Sequence, residues 1–198
     1  MEAWNMEIRE LALPEVFLVK PRGFPDERGV FYESFRQDLV SEAVGRPFTV
    51  AQSNLSVSRR GTLRGLHGTR GPRSQAKLVT CVRGAVLDIV VDLRVGSPNF
   101  GQHAMVWLNA ESMASVYIGE DLAHSFLALE DNTSMHYYCS MTYDEDAVYK
   151  VDPRDPDLDL PWGLTGEPIQ SDADLKAPSL ATAIADKLLP VYTGPGPR

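Results

Sequence analysis

This chain is poor in sulfur, in histidine and in positive charge, and it has no long apolar run. Its two cysteines, Cys81 and Cys139, form no CxxC pair and no Cys-rich spacing, which excludes a disulfide scaffold and a zinc–cysteine module. They read as buried free thiols of a reducing compartment. No stretch reaches the apolar length of a membrane-spanning helix. The first residues lack the charged segment and apolar run of a secretory signal, so a cytoplasmic protein without membrane association is expected. Lysine and arginine number 19 against 27 acids, a net charge of −8. That sign argues against general binding to nucleic acid or anionic lipid. An anionic small molecule stays open, because a local arginine cluster overrides the global sign.

What is present is ordinary globular material: 198 residues, 43 % hydrophobic and 23 % charged, without an internal repeat. A single domain over 1–198 is expected, with its core at about 20–178. Apolar alternation at 8–13 and 16–19 predicts one or two strands. Residues 23–29 read as a turn-rich loop, and 30–33 as a strand. Phe35, Leu39 and Ala43 space a short helix that Gly45 stops. Over 50–58, Gln52, Asn54, Ser56 and Ser58 alternate with Ser53, Leu55 and Val57, the pattern of a strand with one polar face lining a cavity. Further strands are predicted at 78–82, 85–93, 104–108, 115–118, 125–129 and 134–140. Many short strands with few helices predict a sandwich or barrel. The Pro/Asp-rich run 152–162 reads as loop. Leu180, Ile184 and Leu188 predict an amphipathic helix over 179–189, and 193–198 a flexible tail.

Two histidines lie in strand-like sequence with polar company that a core does not need. His67 follows Arg64 in Thr62-Leu63-Arg64-Gly65-Leu66-His67. On a regular strand the two would face opposite sides, but Gly61 and Gly65 make an irregularity plausible. Lys77 sits in the apolar run Ala76-Lys77-Leu78-Val79, where its ammonium must snorkel or meet an anion. His124 enters an apolar strand behind Gly119 and resembles the second motif of cupin barrels. A metal-binding cupin needs several histidines and a carboxylate, with a His-x-His pair that is missing here, and Lys77 opposes a divalent cation. Tyr137 and Tyr138 are adjacent on a strand, so only one can face the cavity. Each of these residues also has a plain structural use: a hydrogen-bonded histidine, an aromatic wall, a solvated acid at Asp174. Together, a base, a cation, a second imidazole and a phenol are the parts for moving a proton beside a carbonyl.

In this order and spacing, the chain resembles the dTDP-4-dehydrorhamnose 3,5-epimerase (RmlC-like) family from about residue 24 to 178. The resemblance rests on Asp26-Glu27-Arg28-Gly29-Val30-Phe31-Tyr32-Glu33, Gln52-Ser53-Asn54, Gly61-Thr62-Leu63-Arg64-Gly65-Leu66-His67, Gln75-Ala76-Lys77-Leu78-Val79, Val91-Asp92-Leu93-Arg94, Gly96-Ser97-Pro98-Asn99-Phe100-Gly101 and Ala123-His124-Ser125-Phe126. It implies a cupin-type jelly-roll β-barrel with short flanking helices, acting as a homodimer without metal or other cofactor on a dTDP-4-keto-6-deoxyhexose in deoxysugar biosynthesis. His67 then matches the general base, Asp174 its carboxylate partner, Lys77 with His124 the stabilisers of the enolate, and Tyr137 the acid on the opposite ring face. Arg28, Phe31, Glu33, Gln52, Asn54, Arg64 and Tyr143 match the positions that hold the dTDP portion. The segment of Arg28, Phe31 and Glu33 is implied to reach the partner subunit's site. Three departures stand out: Gly68 and Thr69 replace an aromatic-Gln pair, residues 69–74 are unusually basic, and Ser125 replaces a glycine. They are expected to alter the cavity wall. Two other classes remain open, a sugar-nucleotide binding protein without turnover and a metal-dependent cupin isomerase or oxygenase.

Overall fold

The computed structural model describes residues 6–194. Thirteen strands and three short α-helices follow in chain order: β1 Glu7–Glu10, β2 Val16–Lys20, β3 Gly23–Asp26, β4 Gly29–Tyr32, α1 Gln37–Val44, β5 Gln52–Ser58, β6 Leu63–Thr69, β7 Lys77–Arg83, β8 Ala85–Val91, β9 His103–Asn109, β10 Ser115–Ile118, β11 Ala123–Ala128, β12 Thr133–Cys139, β13 Val148–Lys150, α2 Asp172–Leu175 and α3 Leu180–Ala185. A six-stranded sheet in the order β1-β2-β10-β7-β12-β5 faces a five-stranded sheet in the order β13-β6-β11-β8-β9, and β3-β4 form a separate hairpin. All pairings within the named strands are antiparallel.

Period-2 patterning builds three apolar layers. β9 is the plainest case: Ala104, Val106 and Leu108 are buried, while His103, Met105 and Trp107 are exposed. Between the sheets, Val79, Cys81, Val86, Val90, Val106, Leu108, Val116, Phe126 and Met135 form the barrel core. Leu63, Leu66, Leu87 and Ile89 point outward from the five-stranded sheet and pack under Trp162, Leu180 and Ala183. Leu78 and Tyr117 point outward from the six-stranded sheet, under Val40 and Phe48. Both cysteines are buried and free. Asp92, fully buried, binds Arg94 at 2.8 Å and the Ser97 hydroxyl at 2.7 Å, so that quoted motif is a structural clamp on the turn after β8.

Most predicted strands are present, and several readings need correction. The β1–β2 hairpin belongs to the six-stranded sheet although it precedes residue 20. The expected loop at 23–29 contains β3, paired to β4 across a turn. β13 was not foreseen, because three residues hemmed by Asp and Pro carry no period. The C-terminal helix stops at Ala185: it buries Leu180 and Ala183 while Ile184 is 42 % exposed, and Lys187 turns left-handed at φ 56°. Of the expected tail, residues 195–198 lie outside the described residues.

Candidate active site

The site is organised by an irregularity in β6. Against β11, Phe126 pairs with Arg64 and His124 with His67, so three steps on β6 match two on β11. This is a bulge, and it brings Arg64 and His67 to one face while Leu63 and Leu66 stay in the outer core. Gly65 permits it. Its φ is +107°, and a Cβ there would lie 2.6 Å from the His124 carbonyl oxygen. The Ser125 hydroxyl donates to the Arg64 carbonyl at 2.8 Å, satisfying a group the bulge frees from the ladder.

Around the bulge, inward-facing residues converge. The His67 and His124 rings lie 5.2 Å apart, edge to face, and the Tyr137 ring lies 6.3 Å from His124. Tyr137 faces the barrel interior and shares a hydrogen bond with the Ser56 hydroxyl at 3.3 Å; Tyr138 faces outward onto Phe35. Burial first, then the Asp88 charge among other terms, raises the Tyr137 pKa, so the phenol keeps its proton. Lys77, 8 % exposed, has no hydrogen bond or ion pair with a described residue, and burial lowers its pKa. The His67 pKa is pushed well below its ordinary value, first by burial and then by the positive charges of Lys77, His124, Lys150 and Arg64. Its imidazole is therefore neutral at pH 7, the form that can accept a proton.

A carboxylate that the sequence reading passed over completes the cluster. Asp88, fully buried between Val86 and Val90 on β8, accepts from His124 Nδ1 at 3.2 and 3.3 Å. Its signal was present: a lone acid in an apolar run, the same signal that marked Lys77. With Nδ1 engaged, His124 Nε2 is buried and has no hydrogen-bond partner among the described residues. An orphaned buried nitrogen beside a phenol and an imidazole marks a place for a polar ligand atom.

The remaining expected residues divide into two groups. Gln52, Asn54 and Tyr143 sit together: the Gln52 amide donates to Asn54 at 2.9 Å and its oxygen accepts from the Tyr143 backbone at 2.7 Å. Arg64 donates to the Ser58 hydroxyl at 3.0 Å. Arg28, Phe31 and Glu33 lie on or just after the separate β3–β4 hairpin. There Arg28 pairs with Asp26, Phe31 is 61 % exposed and Glu33 faces Arg36 at 3.6 Å. The hairpin belongs to neither barrel sheet. Asp174 does not hydrogen-bond His67; its carboxylate accepts from Lys150 Nζ at 2.8 Å. Gly68 departs from the expected change of cavity wall. A Cβ there would point to Tyr149 Oη at 2.6 Å, on the outer side of the sheet, where the Tyr149 ring is buried. Thr69 is used locally, accepting from the Gln75 backbone at 2.7 Å. Among the described residues, no group of three or more His, Cys, Asp or Glu side chains could hold a metal ion.

A cupin-type barrel whose interior ends in an imidazole, an ammonium and a phenol defines the class: a proton-transfer barrel. The dTDP-4-dehydrorhamnose 3,5-epimerase family model matches residues 10–182. A dTDP-4-dehydrorhamnose 3,5-epimerase of Mycolicibacterium smegmatis is 46 % identical over 94 % of this chain and 92 % of its own length. The crystal structure of NovW, a 4-keto-6-deoxy sugar epimerase from the novobiocin biosynthetic gene cluster of Streptomyces spheroides, superposes with a TM-score of 0.91 at 45 % identity, covering 95 % of this chain and 94 % of its own. ChmJ, a 3'-monoepimerase from Streptomyces bikiniensis solved with dTDP-quinovose, gives 0.88 at 44 % identity and 92 % coverage of both chains. The chain belongs to the dTDP-4-dehydrorhamnose 3,5-epimerase family.

Proposed function

We propose that this protein epimerises a dTDP-4-keto-6-deoxyhexose at C3, C5 or both, by proton abstraction and return through an enolate, in deoxysugar biosynthesis. The observation that carries the reading is the convergence of His67, Tyr137 and the unpartnered His124 Nε2 at the barrel end that also holds Lys77. Neutral His67 removes the proton from the carbon beside the C4 ketone. The C–H electron pair moves into the ring and the carbonyl oxygen becomes an oxyanion. Lys77 and His124 stabilise that oxygen, in a site where burial strengthens a charge interaction. Tyr137, held protonated, delivers a proton to the opposite face and recovers one from solvent. Inversion needs a donor and an acceptor on opposite sides, because a single base only exchanges the proton. Asp174 is placed to receive the imidazolium when it forms. The ammonium supplies the charge stabilisation that a metal would otherwise provide.

Gln52, Asn54, Arg64 and Tyr143 form the nucleotide end of the cleft, where the Arg64 guanidinium suits a diphosphate. Arg28, Phe31 and Glu33 complete the site of a partner subunit in a homodimer, which accounts for a hairpin that stands apart from both sheets of its own chain. The reading as a binding protein without turnover rested on the aromatic missing after His67, and that position faces away from the cavity. Incubation with dTDP-4-keto-6-deoxyglucose in deuterated buffer tests the proposal. Deuterium at C3 or C5 is expected, and its position gives the regiochemistry. Tight dTDP binding with no label overturns catalysis, and activity lost with a chelator and restored by a transition metal overturns the metal-free mechanism.

A further inference from the structure

The base of this site has no carboxylate of its own. Two acids lie near it, and each is committed to another cation: Asp88 to His124 at 3.2 Å and Asp174 to Lys150 at 2.8 Å. Lys150 is the less expected of these partners. It ends β13, and its Cα pairs directly with that of His67 across the β13–β6 ladder. Directly paired residues present their side chains to the same face. Its neighbour Tyr149 pairs with Gly68 and turns into the outer core, so Lys150 is directed to the side of the sheet that carries His67. Asp174 arrives from α2, which packs against β6, with its backbone N–H held by the Ser171 hydroxyl at 3.2 Å. The ion pair is partly sheltered, with the Lys150 side chain 32 % exposed and that of Asp174 11 %.

We propose that Lys150 is a positioning residue for the His67 base: it holds the Asp174 carboxylate off the imidazole in the resting site, and so keeps that imidazole unprotonated and ready for a carbon-bound proton. The inference rests on the reading of His67 as the general base. The groups facing His67 are Lys77 from β7, His124 from β11 with Asp88 from β8 behind it, Lys150 from β13, Asp174 from α2 and Arg64 on its own strand, with Tyr137 from β12 facing His124. Cations therefore surround the base, and the one acid it could recruit is occupied. When His67 takes a proton it becomes a second cation beside Asp174, and the carboxylate's free oxygen is available to it. Lys150 thus sets a base that is weak at rest and supported once charged. A direct His–Asp pair would instead raise the proton affinity of the resting imidazole and leave part of the enzyme protonated below neutral pH.

The test is a titration of the His67 ring by NMR in the ligand-free protein, for wild type and for Lys150→Met, Lys150→Gln and Lys150→Arg. With the ammonium removed, Asp174 turns to His67, and the midpoint is expected to rise by about one pH unit. The acid limb of kcat/KM for deuterium wash-in should rise with it, while the rate at pH 8 stays within about threefold of wild type. Lys150→Arg should keep the low midpoint. A His67 midpoint unmoved in folded Lys150→Met and Lys150→Gln overturns the proposal, as does a rise of equal size in Lys150→Arg. The titration needs no turnover. Absence of deuterium wash-in in the wild type would therefore remove the epimerase reading and leave the titration result standing on its own.

Discussion

The two halves of the barrel interior are built by the same strands and behave as opposites. In one half, Val79, Cys81, Val86, Leu108 and Met135 close into a dry core. In the other, two positions along the same faces, stand Lys77, Asp88 and Tyr137. Strand geometry does not change between them; only side-chain chemistry does. The apolar half has partners for every surface it buries. The polar half keeps a lysine without an ion pair and an imidazole nitrogen without a hydrogen bond among the described residues. Unsatisfied buried groups cost stability. A fold retains them where a ligand completes them, so the contrast separates residues that hold the barrel from residues that use it.

Substitutions can break the contrast from either side. The largest effect is expected from His67→Ala, a loss of about 10²–10⁴-fold in deuterium wash-in with the melting temperature little changed. Leu108→Ala should do the reverse. It removes a side chain only 1 % exposed, far from the polar end, and should cost about 2–5 kcal/mol in urea unfolding with wild-type turnover per folded molecule. Tyr137→Phe sharpens the division within the polar half: product inversion should fall about a hundredfold while proton exchange falls less than about tenfold, measured by comparing label uptake with product formation. A smaller effect appears in pH dependence. The His67 pKa is lowered in the folded protein, so the unfolded chain takes up a proton first as pH falls. Stability should then be full above about pH 6.5 and decline below it, by at most about 1.4 kcal/mol per pH unit. Urea midpoints at pH 7.5 and 5.5 would show the decline, and His67→Asn should reduce it. Smallest of all, Trp107→Ser on the exposed face of β9 should change stability by less than about 0.5 kcal/mol.

Much of this division was legible in the chain. The alternation at 50–58 placed Gln52, Asn54 and Ser56 on the more sheltered side and Leu55 and Val57 outside, and the structure keeps it. Gly61 and Gly65 signalled the irregularity that unites Arg64 with His67, because a bulge at a tight inter-strand approach needs a residue without a Cβ. Pairings between distant strands were not legible. Asp88 shows why: its identity as an acid in an apolar strand was visible, but its partner stands on β11 and is chosen by sheet order. Lys150 and Asp174 meet for the same reason, through a three-residue strand too short to show a period and a four-residue helix. Ile184 was misread because the helix ends before its stripe can repeat.

Behind Gly68 the space is filled by the ring of Tyr149 from the neighbouring strand, whose hydroxyl is tied to the Asp121 carbonyl at 2.8 Å. Bulk has been transposed between adjacent chains of the sheet rather than deleted. A column-by-column alignment would score two unrelated changes where the molecule has made one exchange, and either change reverted alone should fit worse than both together.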